Sequence, residues 1–295
     1  SLAYVDELTL LPEPFFAQLL ARLSVPGAKV LATTNPDSPR HWAKVGYLDR
    51  RSELDMRAWH FKLTDNPSLS PTYVASLTAE YVGLWRRRMI LGEWCVAEGA
   101  VYECWDEQRH VVDELPTIRR HWLGVDYGTT NATSAVLLGL GDDDRLYAVA
   151  EWRWDSRRTR RQLTDAQYSA RIRAWLTRMN VEPEWTFVDP SAASFSRQLW
   201  TDGHPGVTQA QNDVVDGIRS VSAALVSGLL RVHRSCEGLL DEIPGYSWDP
   251  KASEAGEDRP LKREDHSLDA IRYVVHSTGH EWRHLMTSEY PIKST

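Results

Sequence analysis

HWLGVDYGTTNATSAVLLGL, residues 121–140, consists of two β-rich runs around a glycine-bearing turn. Apolar Trp122, Leu123 and Val125 lead into Asp126, and Thr133 to Leu140 resumes the pattern, so the segment is predicted to form a hairpin. Asp126 then falls near the end of a buried strand. An ionised carboxylate there is costly to desolvate unless it meets a cation or several donors. A strand-end Asp also caps ordinary turns, so the choice between the two readings rests on the acids farther along the chain.

Downstream, RLYAVAEWRW (145–154) adds a third strand through the turn GLGDDD, giving an antiparallel meander. A helix is expected from about Leu163 to Met179, with Ala166, Ala170, Ile172, Trp175 and Leu176 on its apolar side. The short strand WTFVDP (185–190) ends in a second aspartate, Asp189, and precedes a helix from about Ala192 to Trp200. Further helices are expected near 214–227 and 236–243, with a strand LLRVH between them and a polar loop over 249–263. The closing helix lies in EDHSLDAIRYVVHSTGH (264–280), with Leu268, Ile271, Val274 and Val275 on its buried side. Residues three and four apart share a helix face, so Asp269 can point the same way as His266 and Asp265.

If the first and fourth strands are neighbours, Asp126, Asp189 and Asp269 converge. Close carboxylates repel and take up protons unless cations enter. Mg²⁺ or Mn²⁺, hard ions with oxygen ligands, are the natural counter-charge. Two such ions about 3.5–4 Å apart can activate water and stabilise the leaving oxygen of a phosphodiester.

The first hundred residues carry a different pattern. LAYVDEL is a strand closing in Asp6-Glu7, the Walker B arrangement in which Asp helps hold Mg²⁺ and Glu positions water. A Pro-initiated helix, PEPFFAQLLARL, and a second strand, AKVLATT, complete a βαβ unit. Thr33, Thr34 and Asn35 then lie at the strand edge where ligands bind, or form an ordinary turn. Trp59–Leu63 is expected as a strand and about Pro71–Leu91 as a helix. Arg86, Arg87 and Arg88 in its last turns read either as a solvated helix end or as phosphate contacts. No glycine is followed by lysine, so the P-loop GxxxxGK[ST] is missing. Because the chain begins at Ser1 with its sheet under way, it is expected to be a piece of a longer protein that does not hydrolyse ATP by itself. GEWCVAEGAVYECWDEQRHVV (92–112) lacks a helical period and connects to the second half. The boundary is placed at 110/111 within a Pro-bearing, charged stretch.

Net charge is −7 and the isoelectric point about 5.8, so nothing global marks a nucleic-acid binder. Contact with DNA must come from local arginines or metal ions. Arg153, Arg157, Arg158, Arg160 and Arg161 offer a phosphate-tracking surface or a solvated turn. Lys262 and Arg263 precede the last helix, and Tyr246 and Trp248 flank an expected hairpin that serves the core or DNA. Three cysteines without CxxC spacing support neither a disulfide framework nor zinc. No apolar run approaches a membrane span, so a soluble, cytoplasmic protein is expected.

Taken together, GEWCVAEGAVYE, GVDYGTTN, FVDPSAASF, QNDVVDGIRSV and KREDHSLDAIRY resemble, in order and separation, the large terminase subunit of tailed bacteriophages. The resemblance covers nearly the whole chain. It implies a packaging-ATPase remnant over 1–110, with Asp6 and Glu7 a vestigial Walker B pair and LATTNP the coupling motif. Over 111–295 it implies an RNase H-like nuclease, an α/β mixed sheet with flanking helices. By the same resemblance Asp126, Asp189 and Asp269 bind metal, with His266 and Asp265 beside them. The implied activity is metal-dependent cutting of concatemeric double-stranded DNA. ATP would act only in the complete protein, and the small terminase subunit and portal protein would be partners. GVDYGTTN also looks like the phosphate loop of sugar-kinase, actin and chaperone ATPases, through Thr129 and Thr130, but those need a duplicated domain. A non-catalytic module that docks DNA or the portal is the other alternative.

Overall fold

A computed structural model describes residues 1–128 and 131–286. Thr129 and Thr130, on which the phosphate-loop alternative turns, lie outside the described residues, as do 287–295. The chain divides into two compact units. The first comprises Ser1–Gly99 and Trp248–Pro260, the second Ala100–Ser247 and Leu261–Thr295. The passage between them thus falls at Gly99, short of the 110/111 division, and much of the expected polar loop belongs to the first unit.

In the first unit, β1 (Leu2–Val5), α1 (Glu13–Ala21) and β2 (Lys29–Ala32) form the anticipated βαβ, with β1 and β2 parallel. Pro12 caps α1, whose Phe16 is buried against the rings of Trp42 and Tyr47, 5.5 and 5.1 Å away between centroids. Trp59–Leu63 is not a strand. Trp59 and Phe61 are exposed and, among the described residues, find no strand partner, and the backbone turns at Leu63–Asp65 where Asp65 accepts from the Lys62 N–H at 2.8 Å. The helix expected to reach Leu91 is also interrupted. α2 (Pro71–Glu80), capped by Ser70, ends before extended Val82 and left-handed Gly83 (φ 51°). The chain then resumes as α3 (Gly83–Trp85) and a wide turn, Arg86–Ile90. Arg88 is neither solvated nor a phosphate contact: it is buried, paired with Asp37 at 2.9 Å and with Asp258, and donates to the Cys95 carbonyl at 2.7 Å.

The second unit is built on a seven-stranded mixed sheet. After α4 (Glu107–His110) come β3 (Val111–Val112), β4 (Ile118–Asp126), β5 (Ala132–Gly141), β6 (Leu146–Asp155), α5 (Ser156–Thr159) and α6 (Asp165–Arg178). These are followed by β7 (Trp185–Val188), α7 (Ala193–Thr201), β8 (Val207–Gln209), α8 (Val214–Val226), β9 (Leu230–His233) and α9 (Glu237–Glu242). Beyond α10 (Pro250–Ala255), which lies in the first unit, are α11 (His266–Ser277) and α12 (Gly279–Trp282). The strand order is β3-β9-β6-β5-β4-β7-β8. β4, β5 and β6 form the antiparallel meander, and β7 lies parallel to β4 with Val125 opposite Val188.

Both faces of the centre are covered, which is why all ten residues of β5 are buried, with Val136, Leu137 and Leu138 an apolar run at its middle. One face presents Leu123, Val125, Ala135, Leu137 and Val188 to Tyr168, Ile172 and Leu176 of α6 and Phe195 and Leu199 of α7. The other carries α11. Tyr246 is buried against Tyr102 in the second unit, whereas Trp248 is buried against Trp85 in the first; both are core residues, and no hairpin presents them to solvent.

Candidate active site

The site grows from β4. Side chains alternate across a strand, so Asp126 and Gly124 share a face. The register sets Asp126 opposite Ser134 of β5, and Ser134 opposite Arg153 of β6. Since β7 runs parallel and ends at Val188, Asp189 leaves the sheet beside Asp126. Above this row lies α11, brought close by the absence of a side chain at Gly124. A Cβ there would stand 2.1 Å from the Ala270 carbonyl oxygen and 3.0 Å from the Val274 Cβ.

α11 touches both strand-end aspartates. His266 Nδ1 lies 2.9 Å from Asp126 Oδ2, and two turns later the Tyr273 hydroxyl donates to Asp189 Oδ2 at 2.6 Å. Asp269 lies between them on the same helix face. The Asp189 Oδ1 accepts from the Ser191 N–H at 2.7 Å, a local turn that also fixes the start of α7. Arg272, buried, donates through Nε and Nη2 to Asp269 Oδ1 at 3.1 and 2.8 Å. Its Nη1 reaches the Asn212 and Asp213 carbonyls. Lys262 Nζ stands 3.5 Å from Asp269 Oδ2 and 3.8 Å from Asp265 Oδ2.

The electrostatics separate the acids. Burial pushes the Asp126 carboxyl up, and the nearby Asp269 and Asp189 charges add to this against the His266 hydrogen bond. Asp265 is pushed up by burial and by Asp269. Burial acts on Asp189 as well, but the Tyr273 hydroxyl and Ser191 amide prevail and hold it below the usual aspartate range. Burial opposes charge on His266, yet the Asp126 hydrogen bond raises its pKa overall.

A further set of residues, of which the sequence singled out only Arg153 and for another role, anchors α11. Its N-cap, Asp265, makes no side-chain cap; instead Glu242 Oε2 of α9 accepts the N–H groups of Ser267 and Leu268 at 2.8 and 3.1 Å. Arg153 pairs with Glu242 and donates to the Ser267 hydroxyl at 3.0 Å, which also donates to Glu151. Arg153 therefore leaves the arginine surface, while Arg157, Arg158, Arg160 and Arg161 remain exposed. The readable signal was EWRWD in β6, where Glu151, Arg153 and Asp155 alternate onto one face of a strand that begins apolar.

Among the described residues, no group of three or more His, Cys, Asp or Glu side chains is arranged to hold a metal ion as it stands. The donor set nevertheless suits a hard cation: it is all carboxylate oxygen and imidazole, and Asp265 Oδ2 is buried with no hydrogen-bond partner. In the first unit, Asp6 Oδ1 accepts from the Thr33 hydroxyl and from Tyr4 at 3.2 Å. Asn35 donates to Glu7 Oε1 at 3.2 Å, and the Thr9 and Thr34 hydroxyls are 2.8 Å apart. The strand-edge residues of LAYVDEL and LATTNP thus meet one another.

No family model matches the chain. It is 39% identical to the large terminase of the thermophilic bacteriophage D6E in complex with ADP, covering 94% of this chain and 69% of that one, with a TM-score of 0.87. The same phage protein in complex with ATP-γ-S gives 39% identity over 94% and 70%, also at 0.87. A terminase large subunit of Escherichia phage T5 is 25% identical over 281 residues, 90% of this chain. The chain spans 62% of the length of that T5 relative. Among the described residues no helix is long and apolar enough to cross a membrane.

Proposed function

The chain belongs to the large terminase subunits of tailed bacteriophages, and we propose that its second unit is the DNA-cutting part, a metal-dependent endonuclease acting on concatemeric double-stranded DNA during genome packaging. One observation carries this reading. A single helix, α11, engages the aspartates of two adjacent parallel strands through His266 and Tyr273 and presents Asp269 between them.

Asp126, Asp189 and Asp269 would hold Mg²⁺ or Mn²⁺, with Asp265 beside them. Two such ions supply activated water and stabilisation of the leaving oxygen when bound. The chain's own residues prepare the ground for this. Tyr273 and Ser191 keep Asp189 ionised, Arg272 fixes the rotamer of Asp269, and His266 satisfies the half-buried Asp126 carboxylate and can exchange a proton there. Burial around Asp126 and Asp269 strengthens each of these interactions.

DNA is the proposed substrate, and the small terminase subunit and portal protein are the proposed partners, acting in the host cytoplasm. With no GxxxxGK[ST] in the sequence, we assign ATP to the complete protein, as Asp6 and Glu7 alone cannot cradle phosphates. The test separates binding from cutting on linear double-stranded DNA. Asp189→Asn should bind DNA in EDTA as the wild type does and lose cleavage in Mn²⁺ by at least a hundredfold. Wild type that binds but never cuts, in either metal, would instead favour the docking module.

A further inference from the structure

Lys262 stands beside two buried carboxylates. Asp265 and Asp269 are 7% and 6% exposed, one turn apart at the start of α11. Arg272 occupies Oδ1 of Asp269, and its stem fits only because Gly217 has no side chain; a Cβ there would stand 2.6 Å from the Arg272 Cγ. That leaves Asp269 Oδ2 facing Lys262. Asp265 Oδ2 is buried without a hydrogen-bond partner, and Lys262 Nζ is 3.8 Å from it. His266, the next cationic candidate, is turned to Asp126.

At 3.5 and 3.8 Å the ammonium is beyond the ~2.7–2.9 Å of a charge-assisted hydrogen bond, so it balances the two charges while giving Asp269 Oδ2 only a long hydrogen bond and leaving Asp265 Oδ2 without one. Its side chain is 60% exposed on a flexible stem and can withdraw at little cost, whereas Asp269 is held by Arg272. We propose that Lys262 is a tethered counter-ion which keeps the Asp265–Asp269 pair in place while no metal is bound, and which a divalent cation must displace. This inference rests on the metal-site reading above. The displaced ammonium is repelled by the ion and drawn to phosphate, so metal and DNA should each strengthen binding of the other, by linkage.

The test is Mn²⁺ binding to the intact chain without DNA, by calorimetry, for wild type, Lys262→Met, Lys262→Arg and Asp269→Asn. Removing the charge should tighten Mn²⁺ binding roughly threefold to tenfold, because two partly exposed ion pairs no longer compete. Lys262→Arg should stay close to wild type, and Asp269→Asn should bind weakest. Thermal melting gives a second readout: metal-free Lys262→Met should melt below wild type and gain more from Mn²⁺. Equal Mn²⁺ affinity in wild type and Lys262→Met, with Asp269→Asn weakened, would overturn the counter-ion role and leave the metal site standing. No Mn²⁺ binding by any of the four would overturn both.

Discussion

Asp126 and Asp189 are the same residue type, one strand apart, held in opposite electrostatic conditions. Asp126 is pushed up chiefly by burial; Asp189 is also opposed by burial but is pulled down by the Tyr273 hydroxyl and the Ser191 amide. Removing a donor to the charged form raises a pKa. Tyr273→Phe should therefore shift the acid limb of the cleavage profile to higher pH, which simple loosening of the helix would not do. An unmoved limb would sink the positioning role. In metal-free protein the sign is the same: stability from Asp189 is present above the ordinary aspartate range and lost as pH falls through its lowered value. At this scale the meeting of Asp126, Asp189, His266 and Asp269 was legible, because strand ends and helical spacing can be read along the chain. Tyr273 and Arg272 were not, because their partners depend on how α11 is rotated over the sheet, which periodicity leaves open.

α11 is positioned by what lies beneath it and what meets its end. Gly124→Ala drives a methyl into the Ala270 carbonyl, and the neighbour there is backbone and cannot swing aside. We expect a loss of about 2–4 kcal/mol in denaturant unfolding, in the range of overpacked sites; a loss under about 0.5 kcal/mol, typical of an unconstrained surface site, would contradict the close packing. At its N-terminus the cap is Glu242, pushed up to about 6 by burial despite Arg153 and the two amides it accepts from. A glutamate raised above its ordinary 4.5 binds protons more tightly when folded, so its contribution is full below that value and is lost as pH rises through about 6. Melting of metal-free wild type should thus fall across this window, and Glu242→Gln, which can still accept from the amides, should flatten that segment. The meander and the four main helices of the second unit were readable from alternation and period. β3 and β8, of two and three residues, were too short to show a pattern, and the break between α2 and α3 turns on Gly83 adopting a left-handed backbone.

At the scale of the whole molecule, a chain of net charge −7 is proposed to bind a polyanion, so local cations must carry the contact. The exposed Arg157, Arg158, Arg160 and Arg161 are the candidates, now that Arg88 and Arg153 are committed to Asp258 and Glu242. If Arg157 and Arg158 each meet a phosphate, replacing both with Ala should reduce the slope of log affinity against log salt by about 1.8, roughly 0.9 per contact. An unchanged slope would return them to a solvated turn. The two-part organisation was visible in the sequence, but the return of Trp248–Pro260 to the first unit was not, since it rests on long-range pairs such as Arg88 with Asp258. The most direct test of the account is conversion of supercoiled plasmid by the intact chain in Mg²⁺, Mn²⁺ and EDTA, beside Asp126→Asn and Asp269→Asn. Nicked and linear product that requires metal and disappears in both variants is the predicted result. Cleavage that persists in EDTA or in either variant, or no cleavage by folded wild type in both metals, would contradict it.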